Sequence, residues 1–480
     1  MSPDIHWSFF KTEIGLILLS LGCLVLDIFL RDDARRGRTL ASVAMIGVAL
    51  ILFELGTQWG RFGSSFGGSF SQDGVAFVFK MIFLLAGFFT LFMARAYESQ
   101  LKRGRGEFIL LVLFSLVGMC FLASANDFLL LFVAIETMTL SLYIMTAYLR
   151  GSNASAEAGI KYLILGALST AVFVYGLSFL YGATGSTSFL EIQRKAAAWP
   201  AAPDSFIFGM ILIICSLGFK VAAVPFQLWV PDIYEGAPTP VTAFLAIGSK
   251  AAGFAALTRL VLTAFAGAEH LGLLFGILSA LTILYGNLGA LPQTNIKRLL
   301  GYSSIGHAGY LLIGLAAFGN SGREALLYYL VSYLFSTGGA FLVIVALADI
   351  LKTDEISEFA GLAKRSPLLA AGMFLALLSL AGVPPLAGFF AKFYLLWAGV
   401  KSGLLWLVAI GALNVITSLY YYLKVVKVMY ADKPSNPAPL AVSRDQKFMQ
   451  YVSILGILFL GIYPSPLVRL AEAAFAHFPK

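Results

Sequence analysis

Apolar runs of about twenty residues recur along the whole chain, separated by short polar connections. A bilayer core offers no water to backbone amides and carbonyls, so such runs must satisfy them within helices or a closed barrel. The alternating ten-residue segments of a barrel are missing, which leaves helices. We count fourteen spans, from 12–30 and 40–57 at the start to 402–429 and 447–470 at the end. The seventh covers 205–230 and the twelfth 367–398. Composition agrees: of 480 residues, 59% are hydrophobic and 12% charged, where soluble domains carry about 25% charge. The sequence predicts an all-α polytopic membrane protein with no sizeable extramembrane domain.

The net charge of +8 is no nucleic-acid footprint, because most of the cations lie in loops. One alternating set of loops holds 19 Lys and Arg, the other set with the termini holds 8, and 6 of the 33 fall inside spans. The richer set belongs in the cytoplasm, which puts both termini on the outer side. The first apolar run ends at Leu26-Asp27 without a small-residue cleavage site, so it reads as a span rather than a signal peptide. Cys23, Cys120 and Cys215 have no paired spacing, which argues against a disulfide framework, a metal site or an Fe–S cluster.

Within this apolar frame the stretch from Ser216 to Lys250 stands apart. It carries Lys220 and Lys250, and Pro225, Pro231, Pro238 and Pro240 interrupt it. Each proline removes a backbone donor and disfavours a continuous helix. A broken helix at membrane depth is tolerated where it lines protein or a water-filled cavity. A lysine there costs a few kcal/mol or more and marks an ion-handling site. The twelfth span repeats the pattern in SLAGVPPLAGFFAKF, with Pro384-Pro385 at its centre and Lys392 after it. The two breaks lie five spans apart. A repeated unit with an odd number of spans sits upside down in its second copy, so we expect inverted repeats at helices 4–8 and 9–13 and discontinuous helices 7 and 12. The corresponding divisions are 1–107 (helices 1–3), 108–265 (first repeat), 266–429 (second repeat) and 430–480 (helix 14).

Further ionisable groups join these lysines. Glu136 lies mid-span in LLLFVAIETMTLSLYIM with nothing local to neutralise it, and we expect it to pair with Lys220. In such a pair each charge governs the proton affinity of the other. Glu157 and Lys161 share one face of helix 6. His307, in GYSSIGHAGY, is a natural proton relay, with Tyr302, Ser303 and Ser304 able to hold water beside it. Asp232 and Glu235 read as loop charges, and Lys80 and Arg259 as cations snorkelling from span ends. No Walker motif, GxGxxG after a strand, or His/Cys ligand spacing is present. The sequence thus gives no sign of NAD, ATP, flavin or Fe–S binding by this chain. Energy for ion movement would come from gradients or partner subunits.

Three blocks carry a resemblance: GFKVAAVPFQLWVPDIYEGAPTPVTAFLAIGSKAAGF, LPQTNIKRLLGYSSIGHAGYLLIG and SLAGVPPLAGFFAKF. Over nearly its whole length the chain is similar to the antiporter-like membrane subunits of respiratory complex I (NADH-quinone oxidoreductase), most closely the N type. The L type adds a long lateral helix after the core, whereas about ten residues follow the last span here. The M type typically has glutamate where Lys392 stands. The resemblance implies fourteen helices with inverted repeats and a proton channel along a buried charged axis. It assigns that axis to Glu136, Lys220, Lys250 and Lys392, with Lys161 on helix 6. It departs at Gln227, where some members have histidine. It implies a bacterial inner-membrane location with periplasmic termini, and partners among the M-type and small K- and J-type membrane subunits. NADH, FMN, Fe–S clusters and quinone would be bound by partner subunits. The alternative reading is an Mrp-type monovalent cation/proton antiporter subunit, which needs the same lysines and broken helices.

Overall fold

The computed structural model describes residues 6–478 except 31–32, 102–103, 269, 349, 352 and 435–437. Arg31, Lys102, Arg103, Lys352 and Lys480, counted above for orientation, lie outside the described residues. The chain is almost wholly helical. Its first part forms α1 (Lys11–Phe29), α2 (Asp33–Thr57), α3 (Gly74–Ala96), α4 (Arg105–Ser124), α5 (Phe128–Thr146) and α6 (Asn153–Thr184). A short amphipathic α7 (Phe189–Ala198) precedes α8 (Asp204–Val221) and α9 (Trp229–Gly236). Next come α10 (Thr239–Phe244) and α11 (Lys250–Leu262), joined by a π turn over Leu245–Ser249. Then follow α12 (Leu271–Ala290), α13 (Ile296–Ala316), α14 (Arg323–Leu347) and a single turn, α15 (Leu362–Arg365). The chain ends with α16 (Pro367–Ala381), α17 (Ala387–Lys401), α18 (Leu405–Ala431), α19 (Arg444–Ile462) and α20 (Ser465–Ala476).

Among the described residues, 12 helical spans are long and apolar enough to cross a membrane, or 13 if α19 and α20, bent by 79°, count as one. Polar caps start several of them: Asp73 accepts from Ala76 N, Asp127 from Leu129 N, and Asn295 from Lys297 N and Arg298 N. The span from Thr239 to Leu262 is buried as far as Leu260, and α13 and α14 nearly throughout. α1, α2, α6 and α18 present apolar faces outward. Lys250 and His307 sit on these innermost helices. α12 and α13 touch backbone to backbone, since a Cβ on Gly286 would lie 2.2 Å from Gly306 N.

Both proline breaks are present. α8 stops at Ala222, which adopts a left-handed conformation (φ 63°), and α9 restarts at Trp229. α16 stops at Gly382 (φ 90°), and α17 restarts at Ala387. Gly382 is needed twice over, because the Lys392 chain occupies the space where a Cβ would project, 2.9 Å from Cδ. Protein groups take up polar atoms that the breaks release, as the low-dielectric setting demands. Trp229 Nε1 donates to Phe219 O at 3.0 Å and Val224 N to Thr282 Oγ1 at 2.9 Å. In the second break Gly388 N donates to Ser379 Oγ at 3.0 Å.

Candidate functional site

Lys220 is the penultimate residue of α8, one turn before Pro225, and only 4% exposed. Its ammonium has no hydrogen-bond partner among the described residues. It lies 5.9 Å from the Tyr143 ring centre and 5.6 Å from that of Phe219. Aromatic faces attract a cation weakly and leave its three donors open. The expected pair with Glu136 is not closed, as no ion pair joins the two within 4 Å among the described residues. The half-buried Glu136 carboxylate instead accepts from Thr170 Oγ1 at 2.7 Å. The physical reason is the packing: Thr170 belongs to α6, which packs against both α5 and α8.

Lys250 opens α11 and is 2% exposed. It donates to Ser304 O at 2.5 Å and to Ser304 Oγ. Ser304 Oγ also meets Tyr234 OH at 3.1 Å. On the same helix, α13, Ser303 Oγ bonds Tyr422 OH, which lies 3.2 Å from His307 Nε2. His307 Nδ1 is 2.6 Å from Tyr329 OH. Both ring nitrogens are therefore engaged by phenols, on α18 and α14. Tyr302 of the same segment turns away, its ring lying where a Cβ on Gly289 would project.

Lys392, on α17, is 4% exposed. It donates to Ala381 O at 2.9 Å, a carbonyl beside the break, and to Ser418 Oγ at 3.4 Å. Its Nζ lies 4.9 Å from the Tyr310 ring centre. A cavity lined by His307, Tyr329, Ser332, Ser336, Ser379 and Lys392 separates the imidazole from the ammonium. It gives the centre of a water-sized sphere about 10 Å³, near the room that one water requires. The side chains form a polar row: Lys250 with Ser304, then Ser303, Tyr422, His307 and Tyr329, then the cavity and Lys392. Every member can give up one proton and take another.

Glu157 and Lys161 make no hydrogen bond or ion pair to this row among the described residues. Their ion pair of 2.6 Å is half-exposed, and Lys161 also holds Asp232 at 2.8 Å. Arg298 bridges Asp232 at 2.8 Å and Glu235 at 2.9 Å. Asp232 and Glu235 are thus helical residues of α9 in an ion-pair cluster, where loop charges were expected. Gln227 is buried in the first break, its Oε1 without a partner among the described residues. Lys80 and Arg259 do not snorkel: both are fully buried, paired with Glu13 at 2.7 Å and Asp73 at 3.0 Å. Sequence reasoning missed Thr170, Tyr329, Tyr422 and Ser379. A hydroxyl inside an apolar span was the available signal, but too many share it to single these out. Among the described residues no group of three or more His, Cys, Asp or Glu side chains is placed to hold a metal ion.

Comparison with known proteins places the chain. The family model described as "NADH:quinone oxidoreductase/Mrp antiporter, TM" matches residues 125–417. NADH-quinone oxidoreductase subunit N of Desulforamulus reducens is 41% identical over 476 residues, 99% of each chain. Its counterpart in Moorella thermoacetica is 44% identical over 461 residues, 96% of each chain. A chain of respiratory complex I from Thermus thermophilus with bound aureothin has a TM-score of 0.83 at 34% identity, covering 96% of this chain and 100% of that one. A chain of the Mrp complex from Dietzia shares the fold, with a TM-score of 0.88 at 21% identity over 98% and 97% of the two chains. The chain belongs to the NADH:quinone oxidoreductase/Mrp antiporter membrane family, within the subunit N group of respiratory complex I.

Proposed function

We propose that the buried row translocates protons across the membrane. The chain is a membrane-arm subunit of NADH:quinone oxidoreductase and sits among other antiporter-like subunits. The redox chemistry belongs elsewhere in that enzyme. In our reading NADH, FMN, Fe–S clusters and quinone are all held by partner subunits, and this chain binds none of them. The observation that carries the proposal is the linked set Lys250–Ser304 and Ser303–Tyr422–His307–Tyr329, ending at a cavity shared with Lys392.

Coupling arrives from neighbouring membrane subunits, of the M type and the small K and J types, as a change in the charge of Glu136. Lys220 has no hydrogen bond to hold its protons in place, so it responds most readily to that change. Its proton passes towards Lys250. The tyrosine hydroxyls and the His307 imidazole relay it, each taking one proton and releasing one, to Lys392 and out. Glu157 and Lys161 stand at the margin of the path, next to the cluster on α9.

The two proline breaks support reading α16 with α17 as one crossing, as α8 with α9. The total is then fourteen, with inverted repeats over 108–265 and 266–429, flanked by 1–107 and 430–480. We place the chain in a bacterial inner membrane with periplasmic termini. The Mrp likeness is one of fold, and full-length identity favours the complex I reading over a cation/proton antiporter. The decisive experiment measures proton translocation by the assembled complex carrying Lys220→Ala or Glu136→Gln. Loss of translocation is expected. Intact pumping and quinone reduction in both assembled variants would overturn the proposal.

A further inference from the structure

The row does not account for all the buried charge. At the end of the bundle that holds the start of α1, Glu13 and Lys80 form a 2.7 Å ion pair with both side chains at 0% exposure. Lys80 Nζ also donates to Gln72 Oε1 at 2.5 Å and lies 5.0 Å from the Phe70 ring centre. Among the described residues neither Glu13 oxygen accepts a directed hydrogen bond. The neighbouring Asp73–Arg259 pair is different. Asp73 accepts from Ser71 Oγ, Ala76 N and both terminal nitrogens of Arg259, which also donates to Ala125 O. That pair is saturated and fastens α3 to α11. Glu13 retains accepting capacity in a place where leaving it unused is expensive.

Buried polar atoms without protein partners lie on the helices between this pair and Lys250. Thr258 Oγ1 sits on α11 two turns beyond Lys250, and Ser115 Oγ and Ser124 Oγ on α4. Thr12 Oγ1 and Gln72 Nε2 flank the ion pair in sequence. α4 packs against α1, α3 and α11, so it bridges the helices that bear Glu13, Lys80 and Lys250. Buried hydroxyls of this kind are normally satisfied, by water where protein does not serve.

We propose that Glu13 and Lys80 form a second proton-exchange site, linked to Lys250 by the hydroxyls of α4 and α11. A proton reaching the pair converts the Glu13 carboxylate to the acid while Lys80 stays an ammonium. Release towards the end of the bundle that holds the start of α1 restores the carboxylate, so one proton enters and one leaves. The proposal rests on the row's role in translocation. Its test uses the double variant Glu13→Gln/Lys80→Met, which leaves no unpaired buried charge, in the full complex in inverted membrane vesicles. Protons moved per NADH oxidised are compared with wild type and Lys250→Ala. The double variant should assemble, oxidise NADH at the uncoupled wild-type rate, and lose translocation as far as Lys250→Ala does. Wild-type translocation by the double variant, with Lys250→Ala defective, overturns this site alone and leaves a structural fastener. Wild-type translocation by Lys250→Ala overturns the row instead. Should the double variant fail to assemble, Ser124→Ala/Thr258→Val decides, because it keeps both charges: reduced translocation supports the site and an unchanged ratio refutes it.

Discussion

The two broken helices begin alike and end differently. In the first, Lys220 stands before the break and its ammonium makes no hydrogen bond among the described residues. In the second, Lys392 stands after the break and reaches back to Ala381 O and Ser418 Oγ. The same interruption leaves one lysine loose and tethers the other. A loose ammonium follows a change in nearby charge, whereas a tethered one keeps its position whatever its neighbours do. We read Lys220 as the group that senses and Lys392 as the group that receives.

The sharpest way to break this contrast is Lys220→Ala, which should abolish proton translocation in the assembled complex while altering assembly little, since no hydrogen bond is lost. Vesicle acidification and the amount of assembled complex check both halves. Lys392→Met should also stop translocation and should lower thermal stability of the complex as well. It orphans Ala381 O, and an unsatisfied buried group costs about 1–3 kcal/mol. Equal stability of the two variants would remove the distinction. Next in size, Thr170→Val frees Glu136 from its one observed hydrogen bond. A net bond of about 1 kcal/mol corresponds to a roughly fivefold change in coupled rate, read as the translocation rate under saturating NADH. Tyr422→Phe removes the Nε2 partner of His307 and should slow translocation by a similar or smaller factor with quinone reduction unaffected in uncoupled membranes. Lys161→Ala should have the smallest effect on the same assay, because its ion pairs are half-exposed and water replaces them.

The breaks were legible because proline and lysine rarely share an apolar span without reason, and the structure puts both breaks where Pro225 and Pro384-Pro385 predict. The buried state of Lys220, Lys250, His307 and Lys392 was legible for the same reason. Contacts between helices distant in the chain were not. Glu13 on α1 meets Lys80 on α3 with all of α2 between them in the chain, and Thr170 takes the carboxylate assigned to Lys220. Periodicity along one helix tells which face is apolar, but not which neighbour covers it. Lys80 and Arg259 were misread on that account, since proximity to a span end looks the same whether the cap above is lipid headgroup or protein.

The close seam between Gly286 and Gly306 fixes where adjustment within the row takes place. With two backbones in contact there, the seam has no room for a side chain, and the helix that carries the imidazole packs directly on α12. Reorganisation falls to the lighter parts, the phenol rotors supplied by α14 and α18, which turn about their C–O bonds against a stationary ring. In the proposed relay, hydrogen positions then do the adjusting, and a bulkier residue at Gly286 is expected to slow translocation without touching a single titratable group.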